Sequence, residues 1–212
     1  MHVDEATERG LRAGASLPRK LNLGCGYDRR EGYLNVDTDT RTNPDLLADV
    51  REMPSLPSGH FDEIVALDVL EHLPRVDTDR ALAEWSRLLR SGGTIRIRVP
   101  SFLHVVERLL CGGYDSDEHH RSTMHLAYGT QAHSGDFHHT CFTPLTLREH
   151  LHRAGLGVRG ADIIDGWMFE VVAVKGGASI VDLTRTFGSR WRFAWRIARS
   201  LVSEKLRAAR SA

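Results

Sequence analysis

Leu21-Asn22-Leu23-Gly24-Cys25-Gly26, followed eleven residues later by the Asp37 that closes Tyr33-Leu34-Asn35-Val36-Asp37, decides the reading of this chain. A short apolar run enters a turn carrying two glycines, and a second short apolar run ends in a carboxylate. That is the outline of a nucleotide site at the carboxyl edge of a parallel sheet. Gly24 and Gly26 let the backbone turn sharply and lie bare against a ligand, and Asp37 is placed to accept both ribose hydroxyls. Only residues 27–32 separate the turn from the next apolar run. That is too short for a crossover helix, whose N-terminus a pyrophosphate would need.

The spacing therefore favours a ligand with ribose and adenine but no phosphate, as in S-adenosylmethionine, over NAD or ATP. Further along come Ala48-Asp49-Val50 with Met53-Pro54, then Phe61-Asp62 and Asp68-Val69-Leu70-Glu71-His72-Leu73. Leu88-Leu89-Arg90-Ser91-Gly92-Gly93 and an apolar strand over 94–100 follow. In this order the strings resemble a class I S-adenosylmethionine-dependent methyltransferase across about residues 19–175. They are similar to a compact branch with a shortened first helix, many of whose members sit in saccharide or natural-product pathways.

The resemblance implies a Rossmann-like α/β fold whose open sheet is mostly parallel with an antiparallel final strand. It also implies cofactor contacts from Asn22, Gly24, Cys25, Gly26, Asp37, Asp49, Val50, Leu67, Asp68 and His72. Asp49 would meet the adenine amine, and the backbone of Val50 a ring nitrogen. Asn22 departs from the acidic residue usual there, which weakens a contact to the methionine end and leaves Asp28 or Asp68 as the compensating carboxylate.

Length and charge agree with one domain. At 212 residues the chain suits a single α/β unit burying roughly 70% of its unfolded surface. Formal charge is zero, so no global field points to nucleic acid. Cys25, Cys111 and Cys141 are an odd number without framework spacing, so a reducing cytoplasm is expected. The start, Met1-His2-Val3-Asp4-Glu5, has neither the basic region nor the apolar core of a signal peptide, and no apolar run approaches a membrane span of roughly 18 residues.

Short β patterns alternate with helical ones, which argues for a parallel sheet with helices on its faces. Strands are expected over 20–23, 33–36, 46–47, 63–67 and 94–99, and a hairpin over 158–164 and 169–174 turns at Asp165-Gly166. After Asp77, Leu82, Trp85, Leu88 and Leu89 recur at helical spacing, and Gly92 supplies a stop. A second helix opens at Ser101 or Phe102. Thr143-Pro144 caps and starts a third. The methyltransferase domain is expected over 1–178, with a lid and acceptor insertion over about 101–142.

Histidines crowd that insertion. Of 12 in the chain, His119, His120, His125, His133, His138 and His139 lie between 119 and 139, with His104 just upstream. Glycines and polar residues without a helical period predict a lid loop over the open end of the sheet. Methyl transfer to an alcohol needs a base with a pKa near neutrality, and histidine is the natural one. His138, His139 and His125 are the candidates in that order, each with the alternative of a solvated loop histidine. Asp136, His138 and His139 could also hold a metal. Adjacent loop histidines diverge and no zinc-type spacing is present, so a hard cation such as magnesium, held by carboxylates and substrate hydroxyls, is the form considered.

Residues 179–212 form a separate tail with eight basic and two acidic residues. Trp191, Ala194, Trp195, Ala198, Leu201 and Val202 make an apolar stripe opposite Arg192, Arg196 and Arg199. Such an amphipathic helix suits packing on the domain or in a homodimer, contact with an anionic membrane surface, or another anionic partner. The leading expectation is an O-methyltransferase acting on a hydroxyl of a sugar or similarly polar acceptor. An N- or C-methyltransferase of another natural product, and a cofactor-binding scaffold without catalysis, are the alternatives.

Overall fold

In the computed structural model the described residues are 16–111, 116–133 and 135–187, with 195, 197–199 and 202. The strands are β1 (Lys20–Leu23), β2 (Leu34–Asp37), β3 (Leu46–Leu47), β4 (Phe61–Leu67), β5 (Leu89–Pro100), β6 (Leu156–Ile164) and β7 (Met168–Lys175). They build one seven-stranded sheet in the order β3-β2-β1-β4-β5-β7-β6. The first five run parallel, and β7 lies antiparallel between β5 and β6. The strand order reverses at β1 and β4, so the crevice for a ligand opens beyond their carboxyl ends. The expected sheet, with its antiparallel final strand, is the observed one.

Helices are α1 (Thr78–Leu88), α2 (Phe102–Cys111), α3 (Asp117–Tyr128), α4 (Pro144–Arg153) and α5 (Leu183–Phe187). In α1 the fully buried Ala81, Leu82, Trp85 and Leu88 fall at helical spacing and face the sheet. Thr143 and Thr146 form a reciprocal cap with Pro144 in the first turn, and α4 turns Leu147 and Leu151 inward. The hairpin turn places Asp165 at φ 54° and Gly166 at φ 76°, the pair of left-handed residues that its sequence demands.

No helix joins β1 to β2, as the short spacing predicts. What covers that part of the sheet is a polar lattice. Asn22 and Asn35 are neighbours across β1 and β2, both buried. The Asn22 amide donates to the Asp28 carbonyl at 2.8 Å and to Asn35 Oδ1 at 3.0 Å. Asn35 receives the Arg30 N–H at 2.8 Å and donates to Asp45 at 2.8 Å. The loop after the glycine turn is thus tied down by side-chain amides in place of helical packing, and each amide is satisfied.

Several sequence-based boundaries change, and four of the changes bear on the fold. β2 runs to Asp37, one residue further than expected. α1 ends at Leu88, not at Gly92, because Leu89 turns extended and pairs with Phe61, so β5 begins there. Residues 117–128 are the helix α3, not a loop. Ser116 caps it by accepting the His119 N–H, and Asp117 and Glu118 complement the dipole of its first turn. Finally, the chain past 178 continues into the core: Ser179 Oγ accepts the Val158 N–H at 3.1 Å, and Leu183 is fully buried.

Most of the basic stripe lies outside the described residues. Within it Trp195 and Val202 are exposed, and the Arg199 guanidinium lies 5.2 Å from the centre of the Trp195 ring. Among the described residues no helix is long and apolar enough to cross a membrane.

Candidate active site

The turn after β1 brings Gly24 to φ 57° and Gly26 to φ 49°, and the Gly26 N–H donates to Asp37 Oδ2 at 2.8 Å. The other Asp37 oxygen accepts the Asp39 N–H at 2.9 Å. The carboxylate therefore stands between the glycine turn and the end of β2, with lone pairs left for a ligand. A β-carbon on Gly26 would meet nothing within 4 Å, so open space lies beside Asp37. That space, bare backbone and carboxylate together fit a ribose. Cys25 is buried between the glycines, where burial pushes its thiol upward.

Gly24 is fixed for a different reason. A β-carbon there would sit 2.6 Å from Val69 Cγ2, so the segment after β4 rests directly on the glycine turn. Gly24→Ala is expected to lower stability by about 2–4 kcal/mol, from a left-handed backbone and overpacking against a buried side chain. Chemical denaturation measures it. In a Val69→Ala background the Gly24→Ala penalty should shrink by its steric share and keep its backbone share.

Asp49 and Val50 follow β3. The Asp49 carboxylate is gripped by Arg51 Nε at 2.9 Å, and that guanidinium holds it below the usual carboxylate range. Arg51 also reaches Asp77 Oδ2 at 2.7 Å. The Val50 carbonyl accepts the indole N–H of Trp85 at 2.9 Å. At the end of β4, past Leu67, Asp68 takes φ 57°, a rare conformation that aspartate tolerates and that concentrates at ligand sites. Its side chain pairs with Arg98 on β5.

The lid docks on the same edge. The backbone N–H groups of His139 and Thr140 both donate to the Glu71 carbonyl, at 2.8 and 3.2 Å. His72 Nδ1 lies 3.1 Å from the Phe137 carbonyl, and His138 Nδ1 lies 3.2 Å from that of Leu126. The two imidazoles meet edge to face with centres 4.9 Å apart. Burial, more than any neighbour, holds both histidines below the usual imidazole pKa. Close to both is Glu71, 1% exposed, whose carboxylate oxygens bond no other residue. Burial pushes its carboxyl up to about 8, with its own backbone N–H opposing, the Asp68 charge adding and Arg98 opposing.

Of the residues singled out in the sequence, Gly24, Cys25, Gly26 and Asp37 converge at one corner. Leu67, Asp68, His72 and His138 converge at the next, bridged by Val69. Asn22 is elsewhere: its amide is spent on the loop lattice, which leaves the methionine-end contact without it. His139 is exposed and stacks on Phe137, while His125 is exposed on α3. The metal candidates change as well. Asp136 accepts the Thr130 hydroxyl and His139 turns outward, so neither joins His138; Glu71 and His72 do. In the sequence Glu71 reads as a structural residue that caps the loop before Pro74, because an Asp-x-x-Glu-His string gives no sign that its glutamate is buried without a partner.

Residues 15–97, from just before β1 into β5, match the family model described as a methyltransferase domain. Solved structures share the fold. One is an S-adenosylmethionine-dependent methyltransferase from Mesorhizobium loti, 18% identical, TM-score 0.53, with 82% of this chain and 100% of that one covered. Another, from Methanosarcina mazei, is 15% identical with TM-score 0.53 over 74% of this chain and 91% of the other. A third is the 1,6-didemethyltoxoflavin N1-methyltransferase of Burkholderia thailandensis, holding its substrate and S-adenosylhomocysteine. It is 16% identical with TM-score 0.50, over 81% of this chain and 76% of that one.

Proposed function

We propose that this chain is a class I S-adenosylmethionine-dependent methyltransferase, a reading supported by the family-model match and the shared fold, and that it passes a methyl group to a hydroxyl of a sugar or similarly polar small molecule. Asp37 would hold the ribose against the bare glycine turn, and the segment from Asp49 to Val50 would take the adenine. Asp68, Val69 and His72 would wall the end nearest the methyl group. The cofactor supplies a carbon already activated by its bond to a sulfonium. The chain's own task is to orient the acceptor oxygen, exclude water and remove one proton.

The observation that carries the acceptor reading is the placement of His138. The lid brings it against His72 at the β4 edge, and its Nδ1 is committed to a backbone carbonyl. Nδ1 therefore carries the proton and Nε2 keeps its lone pair. Burial favours the neutral form of that imidazole, the form a proton acceptor needs.

The test is transfer of labelled methyl to panels of sugars, other alcohols and amines, with the attachment atom read by NMR. Products methylated on oxygen support the reading; products methylated only on nitrogen overturn it, and the N1-methyltransferase among the similar structures makes that arm worth running. His138→Ala is expected to lose about 10²–10⁴-fold in kcat while S-adenosylhomocysteine binding stays within a few fold. His152→Ala, exposed at the far end of α4, should behave as the unchanged protein.

A further inference from the structure

Glu71 is a buried carboxyl whose oxygens bond no other residue, and burial favours its neutral form. Ionised, it needs a positive charge or a cation at hand. The nearby guanidinium of Arg98 does not bond it, since Arg98 pairs with Asp68. What does surround Glu71 is a pair of imidazoles. One ligand atom each from Glu71, His72 and His138 lie within 4.8 Å of one another, and Glu71 is almost completely buried.

The orientation of the imidazoles is the second observation. Each places Nδ1 on a backbone carbonyl, Phe137 for His72 and Leu126 for His138. Nδ1 is then the protonated nitrogen in both rings, and Nε2 is the one with a free lone pair. That is how metal-ligating histidines are held: the far N–H is tied to a carbonyl, which fixes the tautomer and aims the ligand. Ligand atoms around a first-row ion stand about 3–3.5 Å apart, so a pair at the 4.8 Å limit needs to close by about 1.3–1.8 Å.

We infer that Glu71, His72 and His138 form a binding site for a divalent first-row transition cation that fastens the lid to the β4 edge. One carboxylate and two imidazoles suit zinc, cobalt, manganese or iron, and leave further positions open. They do not suit magnesium, which prefers oxygen ligands and water. The site rests on the proposed acceptor reading only for its role. There, the open positions take the acceptor's hydroxyl, which is acidified by coordination and releases its proton to solvent. The oxygen forms the new bond to the methyl carbon as the carbon–sulfur bond breaks, and that electron pair stays on sulfur. His138 then acts as a ligand, not as a free base.

The experiment titrates cobalt(II) into the full chain, prepared without an affinity tag and first stripped by chelator. The expected result is visible absorption saturating at one equivalent, displaced by zinc(II) and unaffected by magnesium. Limited proteolysis within the lid should slow at the same equivalence point. Glu71→Gln and His138→Gln are expected to weaken cobalt binding at least 30-fold, and His152→Ala to leave it unchanged. Circular dichroism shows whether each variant is folded; a variant that fails this control is replaced by His72→Gln, judged by its cobalt binding. Cobalt uptake that is absent, or equal in Glu71→Gln and the parent, overturns the site. Full methyl transfer to alcohols in the stripped protein overturns the role and leaves His138 a free base. Uptake at one equivalent, with transfer only to nitrogen, upholds the site and overturns the hydroxyl reading.

Discussion

Asp37→Ala is expected to weaken binding of S-adenosylhomocysteine by about two to three orders of magnitude, with the protein still folded. Two hydrogen bonds from ribose hydroxyls to a carboxylate contribute about 1.5–3 kcal/mol each, and about 1.4 kcal/mol is tenfold in affinity. The residue has a second task that adds to the loss. Its oxygens already accept the Gly26 and Asp39 N–H groups, so the carboxylate shapes the glycine turn before any ligand arrives. Asp37→Asn separates the two tasks. It keeps one acceptor oxygen for the turn and gives up the charge, so about a tenfold loss is expected. Calorimetric titration of the parent and both variants measures the series. An alanine variant within threefold of the parent would place the ribose elsewhere, and the glycine turn would lose its functional reading.

The corner proposed for the cofactor was legible in the sequence because its chemistry is local. Two glycines that must turn and a carboxylate at the next strand end sit within seventeen residues of Leu21, and the short gap between them speaks directly to the absent helix. The parallel sheet followed from alternating β and helical patterns, and the hairpin from Asp165-Gly166. Long-range placement was what the string did not hold. Nothing in Asn22 or Asn35 says that their amides bond each other and a loop, since that depends on a register between parallel strands. The helix α3 was missed because its apolar signal is weak: only Thr123 and Ala127 are buried. Its cap, Ser116 with Asp117 and Glu118, was the available sign. Glu71 was the least visible. Its isolation arises where a loop after β4 meets a lid more than sixty residues away, and only the assembled backbone encloses it.

Trp85→Ala is expected to cost about 3–5 kcal/mol of stability, the range for removing a large buried aromatic, and to impair the adenine side of the site with it. Trp85 is fully buried in α1, and its indole N–H donates to the Val50 carbonyl. No helix stands between β3 and β4, so side chains of α1 do the holding. Glu84 accepts the Met53 N–H at 2.8 Å, and Arg87 donates to the Met53 and Leu56 carbonyls at 3.1 and 3.0 Å. The core and the adenine loop are therefore one structure, and Trp85 is where they join. Trp85→Phe distinguishes packing from that bond. It keeps most of the buried ring and leaves the Val50 carbonyl without its partner, for an expected loss of about 1–3 kcal/mol. Chemical denaturation gives the stability change and calorimetry the cofactor affinity. If α1 positions the adenine loop, Trp85→Phe lowers affinity while most stability remains. Unchanged affinity in Trp85→Phe would mean that the loop is held by Glu84 and Arg87 alone, and that the indole serves only the core.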